Sequence, residues 1–171
     1  MQKVKKKTVK RGTKKPADAK AWIRRLERVH ADAELALDFS TPLELLVALI
    51  LAAQCTDERV NKVTKDLFRK YKTAKDYARA RPGVLEDDIR STGFYKNKTR
   101  SIINCCKKIT QNHGGSVPAT LDELVQLDGI GRKTANVILG NVFDTPGITV
   151  DTHVKRISNR LGLTENQDPV K

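Results

Sequence analysis

Cysteine is scarce in this 171-residue chain, and its three copies exclude more than they offer. Cys55, Cys105 and Cys106 give neither a paired disulfide framework nor a C-x-x-C spacing, which argues against a disulfide scaffold and a thiolate metal site. A reducing, intracellular setting fits that usage. Cys55 stands in an apolar run with no activating base nearby, so it reads as a buried structural thiol rather than a nucleophile. Long apolar runs are missing too. The most apolar stretch, Leu45 to Ala53, has about half the length a bilayer span needs, and it reads as a core helix, so no membrane partner is expected. Acid is absent from the N-terminus, where Met1 to Lys15 hold eight Lys or Arg and no Asp or Glu. Of the formal net charge of +13, only +5 is left for the other 156 residues. Such a lysine run reads as a solvated, disordered arm whose usual partner is nucleic acid, because counterion release rewards cations near phosphate. It carries no apolar stretch that would make a secretory signal. A bacterial cytoplasmic, nucleoid-associated location is expected, with nuclear or organellar targeting by Lys5 to Lys15 as the alternative.

Strand-like alternation is also lacking at any useful length, and what is present is helical period. Asp18 to Leu37 place Trp22, Leu26, Val29 and Ala33 on one stripe, which predicts an amphipathic helix with that stripe facing inward. Thr41-Pro-Leu-Glu44 supplies an N-cap, a proline at the first helical position and a capping-box glutamate for the apolar helix that follows. Val60, Val63, Leu67 and Tyr71 mark the next helix; Thr73 with Asp76 opens a short one expected to stop near Pro82-Gly83. After a short helix around Val84 to Ser91 and a glycine turn at Gly93, Ile102, Ile103, Cys106 and Ile109 trace a helix ending at Gly114-Gly115. Thr120-Leu-Asp-Glu123 is a second capping box, whose helix runs into Asp128-Gly-Ile-Gly131 before helical character resumes over Lys133 to Phe143. That is a helix-hairpin-helix. Asp151 then stands at an N-cap before the stripe Val154, Ile157 and Leu161, closed by Gly162.

The chemistry gathers at the hairpin. Gly129 and Gly131 allow positive φ and leave backbone N–H groups open to a phosphate at the next helix's N-terminus, with Arg132 adding charge. A solvated lysine is the ordinary reading of Lys133, since a helix N-terminus disfavours a cation. The same placement suits a nucleophile, because Arg132, the dipole and partial burial would all favour the neutral amine. Asp151, eighteen residues later, is well explained as a helix cap, and it is also a carboxylate that could offset charge at a sugar C1′ as a glycosidic bond breaks.

These blocks resemble the helix-hairpin-helix DNA glycosylases, most closely the endonuclease III branch. The motifs are Leu46 to Asp57 (LVALILAAQCTD), Gly93 to Thr99 (GFYKNKT), Val117-Pro118, Leu127 to Asn136 (LDGIGRKTAN) and Val150 to His153 (VDTH). The resemblance implies an all-α, two-lobed glycosylase fold with an incomplete second lobe. Its parts would be the arm (1–17), an N-terminal helix of the second lobe (18–40), a helical barrel (41–141) with the hairpin at about 120–141, and the beginning of the second lobe's C-terminal part (142–171). It implies a bifunctional enzyme that releases oxidised or damaged pyrimidines from double-stranded DNA and cleaves the abasic site by β-elimination through a lysine Schiff base, as a monomer. Lys133 would be the nucleophile and Asp151 the catalytic carboxylate. Leu127, Gly129, Ile130, Gly131, Arg132 and Thr134 would bind DNA, Gln54 would fill the gap left by the flipped base, and His153 would serve a structural or backbone-binding role. Two features depart from the family: Asp128 stands where proline is more usual, and the chain ends before a four-cysteine iron–sulfur loop could appear. A truncated chain is therefore expected, with no cofactor assignable to these residues and a [4Fe-4S] cluster only in an intact parent. Alternatives are a relative acting on oxidised guanine or mispaired adenine and a non-catalytic helix-hairpin-helix DNA-binding module.

Overall fold

A computed structural model of the protein describes residues 18–170. The expected arm over residues 1–17 and Lys171 lie outside the described residues. Among the described residues every regular element is helical. Two compact units emerge, one containing Glu34–Thr149 and the other 18–33 with 150–170.

The larger unit is built on α2 (Pro42–Ala52). Its start follows from local chemistry, since Thr41 Oγ1 accepts from Glu44 N at 3.2 Å and the Glu44 carboxylate accepts from Ser40 N at 2.7 Å, while proline fills the first helical position. Leu45, Leu46, Val47 and Leu51 are wholly buried, each burial contributing about 1.5–3 kcal/mol. Around it stand α3 (Asp57–Lys70) and α6 (Tyr95–Asn112), and α6 in turn packs on α4 (Ala74–Ala78) and α5 (Pro82–Ile89). The short α4 owes its start to a complete capping box, Thr73 and Asp76 each accepting from the other's backbone N–H. A 3-10 turn, Arg90–Thr92, leads to α6. Then α7 (Leu121–Leu124) and α8 (Arg132–Val142) pair with each other, and α8 also meets α2.

Three expectations shift here. Pro82 and Gly83 open α5 rather than ending α4, because proline's fixed φ and missing N–H suit a helix's first turn. The capped helix at Thr120 closes after four residues, so the hairpin begins earlier than anticipated. The larger unit also reaches beyond 41–141. Leu37 is buried, Asn61 ties down Ala36 O and Asp38 N, and Phe143 packs on the core at the other end.

The smaller unit carries α1 (Ala19–Val29) and α9 (Thr152–Leu161). Asp18 caps α1, accepting from Ala21 N at 3.1 Å. The inward stripe expected of α1 is not found: the helix ends before Ala33 and contains no buried residue, Leu26 being 53% exposed. In α9, Gly162 closes the helix in the left-handed region at φ +75, the conformation in which glycine pays no Cβ penalty.

Candidate active site

The hairpin between α7 and α8 is shaped by one glycine in particular. Gly129 has φ +82, and a Cβ placed there would meet Ser101 Cβ at 3.0 Å and Ile50 Cγ1 at 3.7 Å. Both the backbone conformation and the close approach to α6 and α2 therefore require glycine. Gly131 differs from expectation. Its φ of −90 and ψ of 172 are extended backbone, and it serves as the N-cap of α8 without a side-chain cap bond. Nothing lies within 4 Å of where its Cβ would be, so the space over the first turn of α8 is open. That geometry leaves the leading N–H groups of an eleven-residue helix facing an approachable void, which suits an anion.

Leu127 and Ile130, expected among the DNA-binding residues, are core residues at 4% exposure each. Their side chains hold the hairpin down, and only their main chain can reach a ligand. Asp128, the acid standing where proline was the more usual residue, is paired. Lys108 Nζ lies 2.8 Å from Asp128 Oδ2 and donates to Gln126 O at 2.8 Å, so α6 neutralises the acid and tethers the hairpin. The Asp128 contact is an ion pair without an aligned hydrogen bond.

Arg132 and Lys133 occupy the first two positions of α8 and are exposed; Thr134 is half-buried. The partial burial expected for Lys133 is thus absent. One turn on, Asn136 Nδ2 donates to Ile148 O at 3.1 Å, and the Asn136 side chain also fills the space over Gly147, holding the loop before Thr149 against α8. In the smaller unit, Asp151 caps α9: its Oδ1 accepts from His153 N at 2.9 Å and from Val154 N at 2.8 Å. His153 is exposed, its Nδ1 lying 3.2 Å from Arg156 Nη2. Back in the larger unit, Gln54 is exposed just beyond α2, with φ +54 in the left-handed region that an ordinary side chain seldom adopts.

The sequence profile described as "HhH-GPD superfamily base excision DNA repair protein" matches residues 47–171. The chain belongs to this superfamily. It is 50% identical over 147 residues to the endonuclease III of Synechocystis sp., covering 85% of this chain and 67% of that protein. The helical arrangement is similar to that of a non-covalent endonuclease III–DNA complex, with a TM-score of 0.82 at 46% identity over 87% of this chain and 70% of the other. It is likewise similar to a trapped endonuclease III–DNA covalent intermediate, with a TM-score of 0.81 at 47% identity over 87% and 72%. The chain spans about two thirds of the length of these relatives. An all-α helix-hairpin-helix glycosylase fold follows, as the motifs implied.

Two residues of the GFYKNKT block were given no role of their own from the sequence. Phe94 is 63% exposed at φ +47, immediately after Gly93 at φ +71. Lys98 is 4% exposed, and its ammonium donates to Leu51 O at 2.8 Å and Thr92 O at 2.7 Å, with burial lowering its pKa from 10.5. A signal for Lys98 existed: it stands four residues before Ile102, on the apolar stripe of α6 where a lysine is out of place. Phe94 offers no such pattern, and Gln54 is marked only by its place in the LVALILAAQCTD block.

The cysteines do not fit an iron–sulfur cluster. Cys105 and Cys106 are wholly buried inside α6, where burial raises both thiol pKa values, Cys105 to about 12. Cys55 is half-buried between α2 and α3. Such a cluster needs four thiolates, and no group of three or more metal-binding side chains occurs among the described residues. No helix among the described residues is long and apolar enough to cross a membrane.

Proposed function

We propose that the protein is a base-excision repair enzyme of the endonuclease III type, a bifunctional DNA glycosylase and abasic-site lyase acting on damaged pyrimidines in double-stranded DNA. The observation that carries this reading is the 50% identity to an endonuclease III in a chain that presents Lys133, exposed, on the first turn of the helix behind the hairpin. One similar structure is a covalent intermediate trapped between an endonuclease III and DNA, which is the chemistry an amine nucleophile performs.

In this reading the phosphate backbone lies over Gly131, contacted by N–H groups of the hairpin and by Arg132 and Thr134. This grip is indifferent to sequence. The damaged nucleotide leaves the stack, and Gln54 occupies the space it vacates. The neutral Lys133 amine attacks C1′; the glycosidic bond breaks, its electron pair leaves with the base, and the base takes up a proton. The nitrogen lone pair then expels the ring oxygen from C1′ as the protonated imine forms, and that oxygen takes up the proton that the Asp151 carboxyl received from the amine. Loss of a proton from C2′ expels the 3′ phosphate, and water hydrolyses the imine to return the lysine. The Asp151 carboxylate, oriented by two backbone N–H groups, offsets positive charge developing at C1′ and takes the proton the amine sheds. His153 serves the start of α9 and the DNA backbone rather than acting as a base. Any iron–sulfur cluster is held by residues other than Cys55, Cys105 and Cys106, and no step passes through it. With bacterial relatives, the setting is the bacterial cytoplasm, where the protein acts as a monomer on the nucleoid.

Borohydride trapping on a duplex with an abasic site tests the assignment. The unaltered chain should become covalently attached, and Lys133→Gln should lose the adduct while keeping most of its DNA affinity. If Lys133→Gln still traps, the nucleophile is another residue.

A further inference from the structure

The Lys98 ammonium joins two stretches of chain far apart in sequence. It reaches the carbonyl of Leu51 in the last turn of α2 and that of Thr92 at the end of the 3-10 turn. Because the two bonds measure 2.8 and 2.7 Å, those carbonyl oxygens stand no more than 5.5 Å apart. Gln54 lies three residues beyond the first carbonyl and Phe94 two beyond the second. Among the described residues they are two of the three non-glycine residues with positive φ, the third being Asp144. Both are exposed. Strain of this kind persists where the surroundings over-determine it and where it does something for function.

A buried ammonium is a costly way to obtain mere cohesion. An apolar side chain of similar length would fill the same space without desolvating a charge. What the ammonium adds is direction: it satisfies a carbonyl that the end of α2 leaves without a helical partner, favours the negative end of that helix, and fixes the Thr92 carbonyl beside it. The exposed ring of Phe94 offers a stacking face for a base, as aromatic side chains do in other contacts with unpaired nucleotides. We infer that Lys98 is a positioning residue that sets the spacing of Gln54 and Phe94, so that the pair enters the base stack as one unit when a nucleotide is extruded. The inference rests on the reading of Gln54 as the inserted side chain.

Lys98 then serves extrusion and not the chemistry at Lys133, which separates it from a residue that only stabilises the fold. In the full chain, Lys98→Met should slow single-turnover base release from a damaged duplex on the order of tenfold. Strand cleavage at a preformed abasic site in single-stranded DNA, where nothing has to be extruded, should keep its rate. Equal slowing of both reactions would overturn the inference. The Lys98→Met effect should also vanish in a Gln54→Ala/Phe94→Ala background, since it acts through those two side chains; an effect that persists there would overturn it. If Lys98→Met does not fold, the exposed pair carries the test. Gln54→Ala and Phe94→Ala must then slow base release less in combination than the product of their separate effects, and independent effects refute the unit. A Gln54→Ala chain that releases base from duplex at the full rate refutes the insertion reading itself. A slowed Gln54→Ala beside an unaffected Lys98→Met refutes only the link.

Discussion

The larger unit and the smaller one are stabilised by different means. In the larger unit, α2 and α6 bury most of their apolar residues, and the hairpin is pressed onto that core through Leu127, Ile130 and the close approach of Gly129 to Ser101. In the smaller unit, α1 and α9 bury none, and order there comes from caps: Asp18, Asp151, Gly162 and the bonds of Asn159 to Asn166 and Gln167. One unit has a core to hold α8 still, and the other has capped helix ends. Local stability should therefore differ widely between them, and so should their response to mutation.

The widest gap should come from one substitution made in each unit. Leu46→Ala in α2 should cost about 2–5 kcal/mol in urea unfolding, whereas Leu26→Ala on exposed α1 should stay within about 0.5 kcal/mol. Comparable losses would show that α1 is as well packed as α2. Next come the two glycines of the hairpin. Gly129→Ala should lose on the order of 1–3 kcal/mol of stability, because it meets both a positive φ and a 3.0 Å contact. Gly131→Ala should leave the melting temperature nearly unchanged yet weaken DNA binding, since its new methyl group enters the open space over α8. A Gly131→Ala chain with undiminished affinity would remove that space from the binding surface.

Asp151 permits a sharper division. Asp151→Ala should cost about 0.5–2 kcal/mol and loosen α9, while Asp151→Asn, a good N-cap, should keep the helix by circular dichroism and lose base release. Activity retained in the asparagine variant would reduce Asp151 to a cap. The smallest effect is expected at the half-exposed Lys108–Asp128 pair, where Lys108→Met should cost no more than about 1 kcal/mol. Leaving Asp128 unpaired near the phosphate should also make DNA binding weaker, most visibly at low salt, and affinity that is the same at every salt concentration would contradict that picture.

Caps, periods and motifs were readable because they are local. Thr41, Thr73 and Thr120 each cap the helix they announced, and Asp151 caps α9 as its place before a helical stripe suggested. What could not be read depends on distant chain. The stripe of α1 says that one face is apolar but not what covers it. Gly131 carries the same freedom as Gly129 in the sequence, and only the folded chain shows that Gly129 takes the left-handed conformation, close against Ser101, while Gly131 is extended. Leu127 and Ile130 belong to a motif associated with DNA, yet their apolar side chains follow the ordinary drive inward. Lys98 owes its burial to two carbonyls, one of them 47 residues away. Of the candidate site, the residue types were legible and the division between those that touch solvent and those that hold them was not.

The start of α8, like those of α5 and α6, has no side-chain cap, unlike those of six other helices. Side chains of Asp18, Thr41, Thr56, Thr73, Thr120 and Asp151 close the first turns of α1, α2, α3, α4, α7 and α9, but at α8 no side chain does so. In the proposed reading, a strand phosphate seated over Gly131 would occupy the place those oxygens hold elsewhere, so that the substrate would complete the start of α8. Mass action would then link recognition to folding: DNA should raise the melting temperature as its concentration climbs past Kd, and free inorganic phosphate should compete for the same N–H groups.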